Sequence, residues 1–135
     1  MKIQNSYIPI VFREALAAGA SKTYEAELTG IGYIREMLIN FAAGENGTLH
    51  LRPYVVLNGE IVIDLLKYGA SKKYFSGDDA QFRLPCYQAI EKHAKLCIDA
   101  ENTGIGDSEI SVDVMVEYVD ILRIESVIGT PGRRP

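Results

Sequence analysis

Oxygen-bearing side chains concentrate in two stretches of the sequence and are the first candidates for chemistry. One stretch is Asp78-Asp79, and the other comprises Asp99, Glu101, Asn102 and Asp107. Such oxygens are the ligands of hard cations such as calcium, and paired carboxylates also hydrolyse glycosidic bonds. The spacing matches no defined calcium loop, however, and Asp, Asn and Gly are ordinary turn formers. We therefore predict turns at these positions, with no metal site and no catalytic site.

Histidine and cysteine are scarce, which limits metal binding and nucleophilic catalysis. The two histidines, His50 and His93, stand far apart in the sequence. The two cysteines, Cys86 and Cys97, match no zinc or redox spacing and are predicted to be buried free thiols; a disulfide would need an oxidising setting and suitable geometry. Gly104-Ile105-Gly106 precedes a predicted strand, whereas a phosphate loop opens a helix. The sequence thus predicts a protein that is not an enzyme and needs no cofactor.

Composition sets the class of the protein. At 135 residues, with 47% hydrophobic and 24% charged residues, the chain has the size and balance of one globular domain. The net charge of -4 argues against nucleic-acid binding through a basic surface. The apolar runs are too short to span a bilayer, and the first residues show no secretory signal. We expect a protein made in a cytoplasm that contacts neither nucleic acid nor a membrane.

The segment Glu109–Val119 is the element around which the others must be organised. Its β-branched and aromatic residues fall at every second position, which on a strand places them on one face. The face predicted to be buried consists of Ile110, Val112, Val114, Val116 and Tyr118. A helix would scatter these side chains, so the pattern predicts a long strand with one face in the core.

Shorter strands separated by turn residues account for most of the remaining chain. Asn58-Gly59 between two β-branched runs predicts a type I′ hairpin. Pro9 predicts an edge strand or strand start, and Pro53 an edge strand or a bulge. Residues 14–21 are predicted as a loop, with a turn of helix as the alternative, and residues 88–94 as a helical turn or a hairpin arm. The other strands are predicted at residues 8–12, 22–28, 48–56, 61–63, 72–75, 81–87 and 95–100.

The segment Tyr33–Phe41 satisfies two patterns. Ile34, Met37, Leu38 and Phe41 match the spacing of an amphipathic helix, whereas the flanking glycines and the absence of a helix cap favour a strand. We predict a strand. About eight to nine strands with little helix indicate an all-β protein, a β-sandwich of jelly-roll type, with one domain over residues 1–128 and a flexible tail over 129–135.

Apolar residues near both ends of the chain predict a contact with another subunit. Residues 3–12 and 121–128 carry more aliphatic side chains than a soluble monomer leaves uncovered. Identical subunits hide such surfaces by closed symmetry, and we expect a trimer, with a dimer as the alternative. The residues predicted to make the contact are Ile8, Ile10, Phe12, Ile121, Leu122, Ile124, Val127 and Ile128.

The layout of four segments, followed by the alternating last strand, resembles a known class of proteins. These segments are residues 16–24, 54–59, 76–79 and 96–103. They are similar to the small jelly-roll proteins that decorate or cement the capsids of tailed phages and related particles. The resemblance implies a non-enzymatic, trimeric subunit that binds a capsid or similar shell and resides in a virion assembled in a bacterial host.

A carbohydrate-binding module is the alternative function. The chain has eight tyrosines and no tryptophan, and sugar-binding sandwiches use aromatic platforms that commonly include tryptophan. A glycan is the partner that this alternative function implies. An aromatic platform in a groove would favour this alternative, whereas an apolar face together with an extended terminus would favour the shell subunit.

Overall fold

Two antiparallel four-stranded sheets face each other in the computed structural model, which describes residues 5–69 and 73–119. Sheet A has the strand order β1-β8-β3-β6 and sheet B the order β2-β7-β4-β5. The strands are β1 (Asn5–Leu16), β2 (Ser21–Glu27), β3 (Gly32–Phe41), β4 (Leu49–Leu57), β5 (Glu60–Asp64), β6 (Ala80–Ile90), β7 (Lys95–Asn102) and β8 (Ser108–Val119). A 3-10 helix, Leu65–Gly69, follows β5. The predicted all-β sandwich is confirmed.

The strand pairing is nested, with the first strand beside the last. β1 pairs with β8, β2 with β7, β3 with β6, and β4 with β5. Two further pairings, β3 with β8 and β4 with β7, complete the sheets. A long hairpin rolled so that its paired strands alternate between two sheets is a jelly roll. The jelly-roll prediction is therefore confirmed.

The core lies between the sheets and is built on β8. Ile110, Val112, Val114 and Val116 are each at most 1% exposed, whereas Met115 on the opposite face is 36% exposed. The alternation of the sequence therefore predicted correctly which face of β8 is buried. Sheet B covers the buried face of β8 with the even-numbered residues of β7. These residues all point into the core, because alternate side chains of a strand share one face.

A bulge in β3 explains why its sequence resembled a helix. The register against both neighbouring strands shifts between Ile34 and Glu36, so one residue is inserted there. The inward positions are consequently Ile34, Met37, Ile39 and Phe41, all 3% exposed or less. The three-residue step from Ile34 to Met37 is the step that also fits a helix.

Two of the predicted elements need correction, and one open alternative is settled. β1 continues to Leu16, so the chain is extended over residues 14–16, where we expected a loop or a helical turn. β6 runs through to Ile90, so the hairpin arm is the alternative observed for residues 88–90. The strand predicted at residues 72–75 is wrong in the described part, because Phe75 forms only an isolated bridge to Leu51. The sequence also gave no indication of the 3-10 helix.

Pro53 does not lie on an edge strand, because β4 has neighbours on both sides. The backbone N–H and C=O of Leu51 both bond to Phe75. Since residues two apart in a strand direct their backbone groups to the same side, the nitrogen of Pro53 points into the gap between Phe75 and the paired part of β5. The missing N–H of Pro53 therefore removes no ladder hydrogen bond.

The β4–β5 turn has the predicted type I′ conformation. Asn58 and Gly59 have φ angles of 54° and 81°. Replacing Gly59 by Val should lower the free energy of unfolding by about 1 kcal/mol or more, because a β-branched residue resists positive φ. The melting temperature should fall by several degrees, whereas Asn58→Gly should leave it nearly unchanged. An unaltered melting temperature for Gly59→Val would contradict this account of the turn.

Some predictions concern residues outside the described ranges. They include the tail over 129–135 and the five contact residues between Ile121 and Ile128. Within the described ranges, no helix is long and apolar enough to cross a membrane.

Candidate functional site

An exposed apolar surface covers the outer side of sheet A at its β1 edge. Tyr7, Pro9 and Val11 alternate along β1, and Met115 of β8 lies directly opposite Pro9. Tyr7 is 60% exposed, Val11 52% and Met115 36%. We call these four residues the contact face. Large apolar side chains exposed side by side are typical of a surface that another molecule covers.

A buried glutamate anchors one end of the contact face. The side chain of Glu117 is only 8% exposed, and its Oε1 lies 2.5 Å from Arg35 Nη1. Tyr7 donates its hydroxyl hydrogen to Oε2 over 3.1 Å. Arg35 also lies over the ring of Tyr87, which stacks on Tyr33 with ring centroids 4.7 Å apart. These five residues form the Glu117 cluster, which holds two exposed tyrosines in fixed positions.

The electrostatics of this cluster are dominated by Glu117. The hydrogen bond from Tyr7 to the glutamate raises the pKa of the Tyr7 hydroxyl, because an ionised phenol would lose that bond and face a carboxylate. The bond between Arg35 and Glu117 raises the pKa of the guanidinium further above its ordinary value. The tyrosine is therefore neutral and the arginine charged at neutral pH.

The contact residues predicted in β1 occupy three different environments. Ile8 is 44% exposed, because β1 is the edge strand of sheet A within residues 5–69 and 73–119. Ile10 is half-buried and packs against the core. Phe12 is 7% exposed and belongs to the core itself. Of the three, Ile8 is the one that remains available for contact with another molecule.

The acidic residues considered for calcium binding are dispersed, and several stabilise turns. Asp78 accepts backbone hydrogen bonds from Gly44 and Asn46, and Asp107 accepts one from Ala18. Asp99, Glu101 and Asn102 lie in strand β7, so the turn predicted at these three positions is wrong. No group of three or more metal-ligating side chains occurs among residues 5–69 and 73–119.

Asn102 is fully buried and joins two loops at one end of the sandwich. Its side-chain nitrogen donates to the carbonyl oxygens of Leu16 and Gly106 over 3.0 and 2.9 Å. Its Oδ1 accepts a hydrogen bond from the backbone of Gly104. Every polar atom of the Asn102 side chain is thus used to hold the β1–β2 and β7–β8 loops together.

The cysteines are free and buried, as predicted. Cys86 lies in β6 and Cys97 in β7, so they belong to different sheets. Burial raises the pKa of the Cys86 thiol to about 11 and also raises that of Cys97. Both side chains are therefore protonated and poorly nucleophilic at neutral pH.

The outer side of sheet B carries a groove of about 460 Å³. The strand register aligns Ser21, Glu101 and His50 in one row and Thr23, Asp99 and Arg52 in the next. The residues of the groove that bear on ligand binding are His50, Arg52, Lys73, Tyr74, Asp99 and Glu101. We call this feature the sheet B groove.

The floor and one wall of the sheet B groove are held by internal contacts. Asp99 Oδ1 accepts hydrogen bonds from Thr23 Oγ1 and from the Tyr54 hydroxyl, each over 2.7 Å. Burial, and then the hydrogen bond to Asp99, raise the pKa of Tyr54 to about 12. The ring of Tyr74 stacks on His50 with centroids 3.8 Å apart. The groove is therefore preformed.

Comparisons with known proteins assign no family. No protein-family model matches the chain, and no curated protein matches it. Among solved structures, a chain of infectious bursal disease virus, Gt strain, is similar with 13% identity and a TM-score of 0.46, over 85% of this chain and 32% of that one. Dimeric latent PorU from Porphyromonas gingivalis is similar with 14% identity and a TM-score of 0.39, over 83% of this chain and 13% of PorU.

A third structure, that of FLHE, has 13% identity and a TM-score of 0.33, over 82% of this chain and 96% of that one. The chain spans about a third of the length of the viral chain. At these identities and TM-scores the similarities carry no inference about function.

The Glu117 cluster and the sheet B groove were not predicted from the sequence. Tyr7 and Glu117 are 110 positions apart, and Tyr54 and Asp99 are 45 apart. The abundance of tyrosine was the one available signal, since tyrosine favours surfaces where the ring packs and the hydroxyl stays wet.

Proposed function

We propose that this protein is a non-enzymatic structural subunit, a homo-oligomeric jelly roll that decorates or cements a phage-type capsid or a similar protein shell. The observation that carries the proposal is the contact face, a cluster of exposed apolar side chains at the edge of sheet A. In this proposal the chain is made in a bacterial cytoplasm and resides on an assembled particle.

The contact face and the Glu117 cluster, which share Tyr7, together have a composition that suits a protein interface. Protein interfaces are enriched in tyrosine, methionine and arginine, and the most important side chains are held rigidly before binding. Tyr7, Met115, Tyr87 and Arg35 provide these residue types, and Glu117 fixes two of them by hydrogen bonds. A partner that covers this surface would order few additional side chains, which lowers the entropic cost of association.

The contact is proposed to be face to face. β1 is a long edge strand of 12 residues, and such strands tend to pair with the edges of other molecules. Pro9 in the middle of β1 lacks an N–H and interrupts that row of donors. Pairing along the edge is therefore disfavoured, while the apolar side chains remain available for packing. Closed symmetry with three subunits is the expected arrangement.

Removing the apolar side chains of the contact face should dissociate the oligomer. We expect light scattering on the full chain to give three times the mass of one chain, and on a Tyr7→Ser, Val11→Ser double variant to give the mass of a monomer. Both positions are more than half exposed, so the variant should fold. The matched control is Ile61→Ser, Val62→Ser on sheet B, where the side chains are 52% and 50% exposed and the trimer should persist.

Two results would contradict the proposal. A full chain that is monomeric, and that binds no dye specific for exposed apolar surface, would exclude self-assembly. Loss of the oligomer only in a chain shortened to end at Asp120, with the double variant still trimeric, would place the contact in residues 121–128. Co-sedimentation with capsid particles then tests the shell partner directly, and the double variant should fail to co-sediment.

A further inference from the structure

We propose that the sheet B groove binds a neutral carbohydrate. This goes beyond the shell-subunit function, because it assigns a ligand to a surface that subunit contacts do not need. Three properties of the groove suit such a ligand: its mixture of hydrogen-bonding groups, its balance of charge and its exposed aromatic ring.

Sugar hydroxyls both donate and accept hydrogen bonds, so a sugar site needs donors and acceptors close together. Asp99 and Glu101 are two residues apart on the same face of β7, about 7 Å along the strand. Arg52 lies directly opposite Asp99 on β4, and Lys73 is a second basic residue of the lining. Carboxylate oxygens and cationic N–H groups thus line the same groove.

The charges of the groove nearly cancel. Arg52 and Lys73 line the groove together with the carboxylates of Asp99 and Glu101. Arg52 also lies 3.3 Å from the carboxylate of Asp64 at the rim. A polyanion would therefore meet carboxylates as well as cations, and a simple cation would meet ammonium and guanidinium groups. A neutral ligand with many hydroxyls avoids both penalties.

The aromatic platform is Tyr74. Its ring is 40% exposed and is held in place by stacking on His50. His50 is itself positioned, with Nε2 3.1 Å from the carbonyl oxygen of Gly47 and Nδ1 3.4 Å from Glu101. A fixed ring beside convergent polar groups is the arrangement that binding sites use to orient small ligands. The apolar face of a sugar ring would pack on Tyr74 while its hydroxyls meet Asp99 and Glu101.

The groove and the contact face lie on opposite sides of the sandwich. The groove is on the outer side of sheet B, and the contact face is on the outer side of sheet A. Assembly through sheet A therefore leaves the groove open to solvent. A shell subunit built in this way would present a row of carbohydrate sites outward.

The test is calorimetric titration of the full chain with neutral oligomers of glucose, galactose, mannose and N-acetylglucosamine, and with dextran sulfate as the anionic comparison. We expect at least one neutral oligosaccharide to bind. Tyr74→Ala should weaken that binding by about tenfold or more. Glu101→Gln, which keeps the shape of an exposed side chain, should also weaken it.

The control is Ile105→Ala, which removes a fully exposed apolar side chain from the β7–β8 loop, outside the lining of the groove. This variant should bind the sugar as the parent chain does. Failure of every neutral oligosaccharide to bind would overturn the proposal. So would binding that survives both Tyr74→Ala and Glu101→Gln, or binding to dextran sulfate alone that disappears at high salt.

Discussion

Replacing Val114 by Asp should abolish cooperative folding. Val114 is fully buried in the middle of β8, between Ile10 of β1 and Met37 of β3. A carboxylate placed there has no partner and must be buried charged or take up a proton, and either costs several kcal/mol. That cost is comparable to the whole stability of a domain of this size, which is about 5–15 kcal/mol. Circular dichroism and urea denaturation should show no two-state transition.

The neighbouring substitution Asp113→Asn is the control for Val114→Asp. Asp113 points outward and pairs with Arg13 over 2.6 Å, with 34% and 41% of the two side chains exposed. An ion pair this exposed stabilises the fold by less than about 1 kcal/mol, so its loss should leave the free energy of unfolding nearly unchanged. If the two variants had similar stabilities, the orientation of β8, with Val114 toward the core and Asp113 toward solvent, would be wrong.

Gly32→Ala should be the second severe change. Gly32 begins β3 opposite Tyr118, and a Cβ added to it would overlap the backbone carbonyl oxygen of Glu117. Backbone cannot rotate away as a side chain does, so β3 and β8 would have to separate locally. We expect the free energy of unfolding to fall by about 3 kcal/mol or more, measured by urea denaturation.

Gly106→Ala is the matched control, because a Cβ at Gly106 meets nothing within 4 Å. This variant should be as stable as the parent chain, or slightly more stable since alanine restricts the unfolded chain. Equal effects of the two substitutions would show that the close approach of β3 to β8 at Gly32 does not limit the packing.

The features predicted correctly from the sequence are those encoded within a single segment. The alternation of β8 and the Asn58-Gly59 turn each depend on neighbouring residues, and both are confirmed. Errors arose where tertiary pairing decides the local structure. Residues 14–16 lack a strand pattern of their own, yet they are extended because Glu14 and Leu16 pair with Ile110 and Ser108 of β8.

The candidate sites were less predictable than the fold, for the same physical reason. The contact face joins β1 to β8, and the groove joins β2, β7 and β4, so each depends on a register between distant segments. Alternation predicts which side of a strand faces solvent. It does not predict which residue of another strand lies beside it.

The nested pairing also constrains how the chain reaches its fold. Asn5 pairs with Val119, and the register continues from there to Leu16 and Ser108. During synthesis, β1 leaves the ribosome first but has no partner until β8 has followed it. Sheet A therefore cannot be completed before β8 has been synthesised, and contacts between residues so distant in sequence make folding slow. Until then the apolar side of β1 is open to association with other chains, and a chaperone that binds extended apolar segments would protect it.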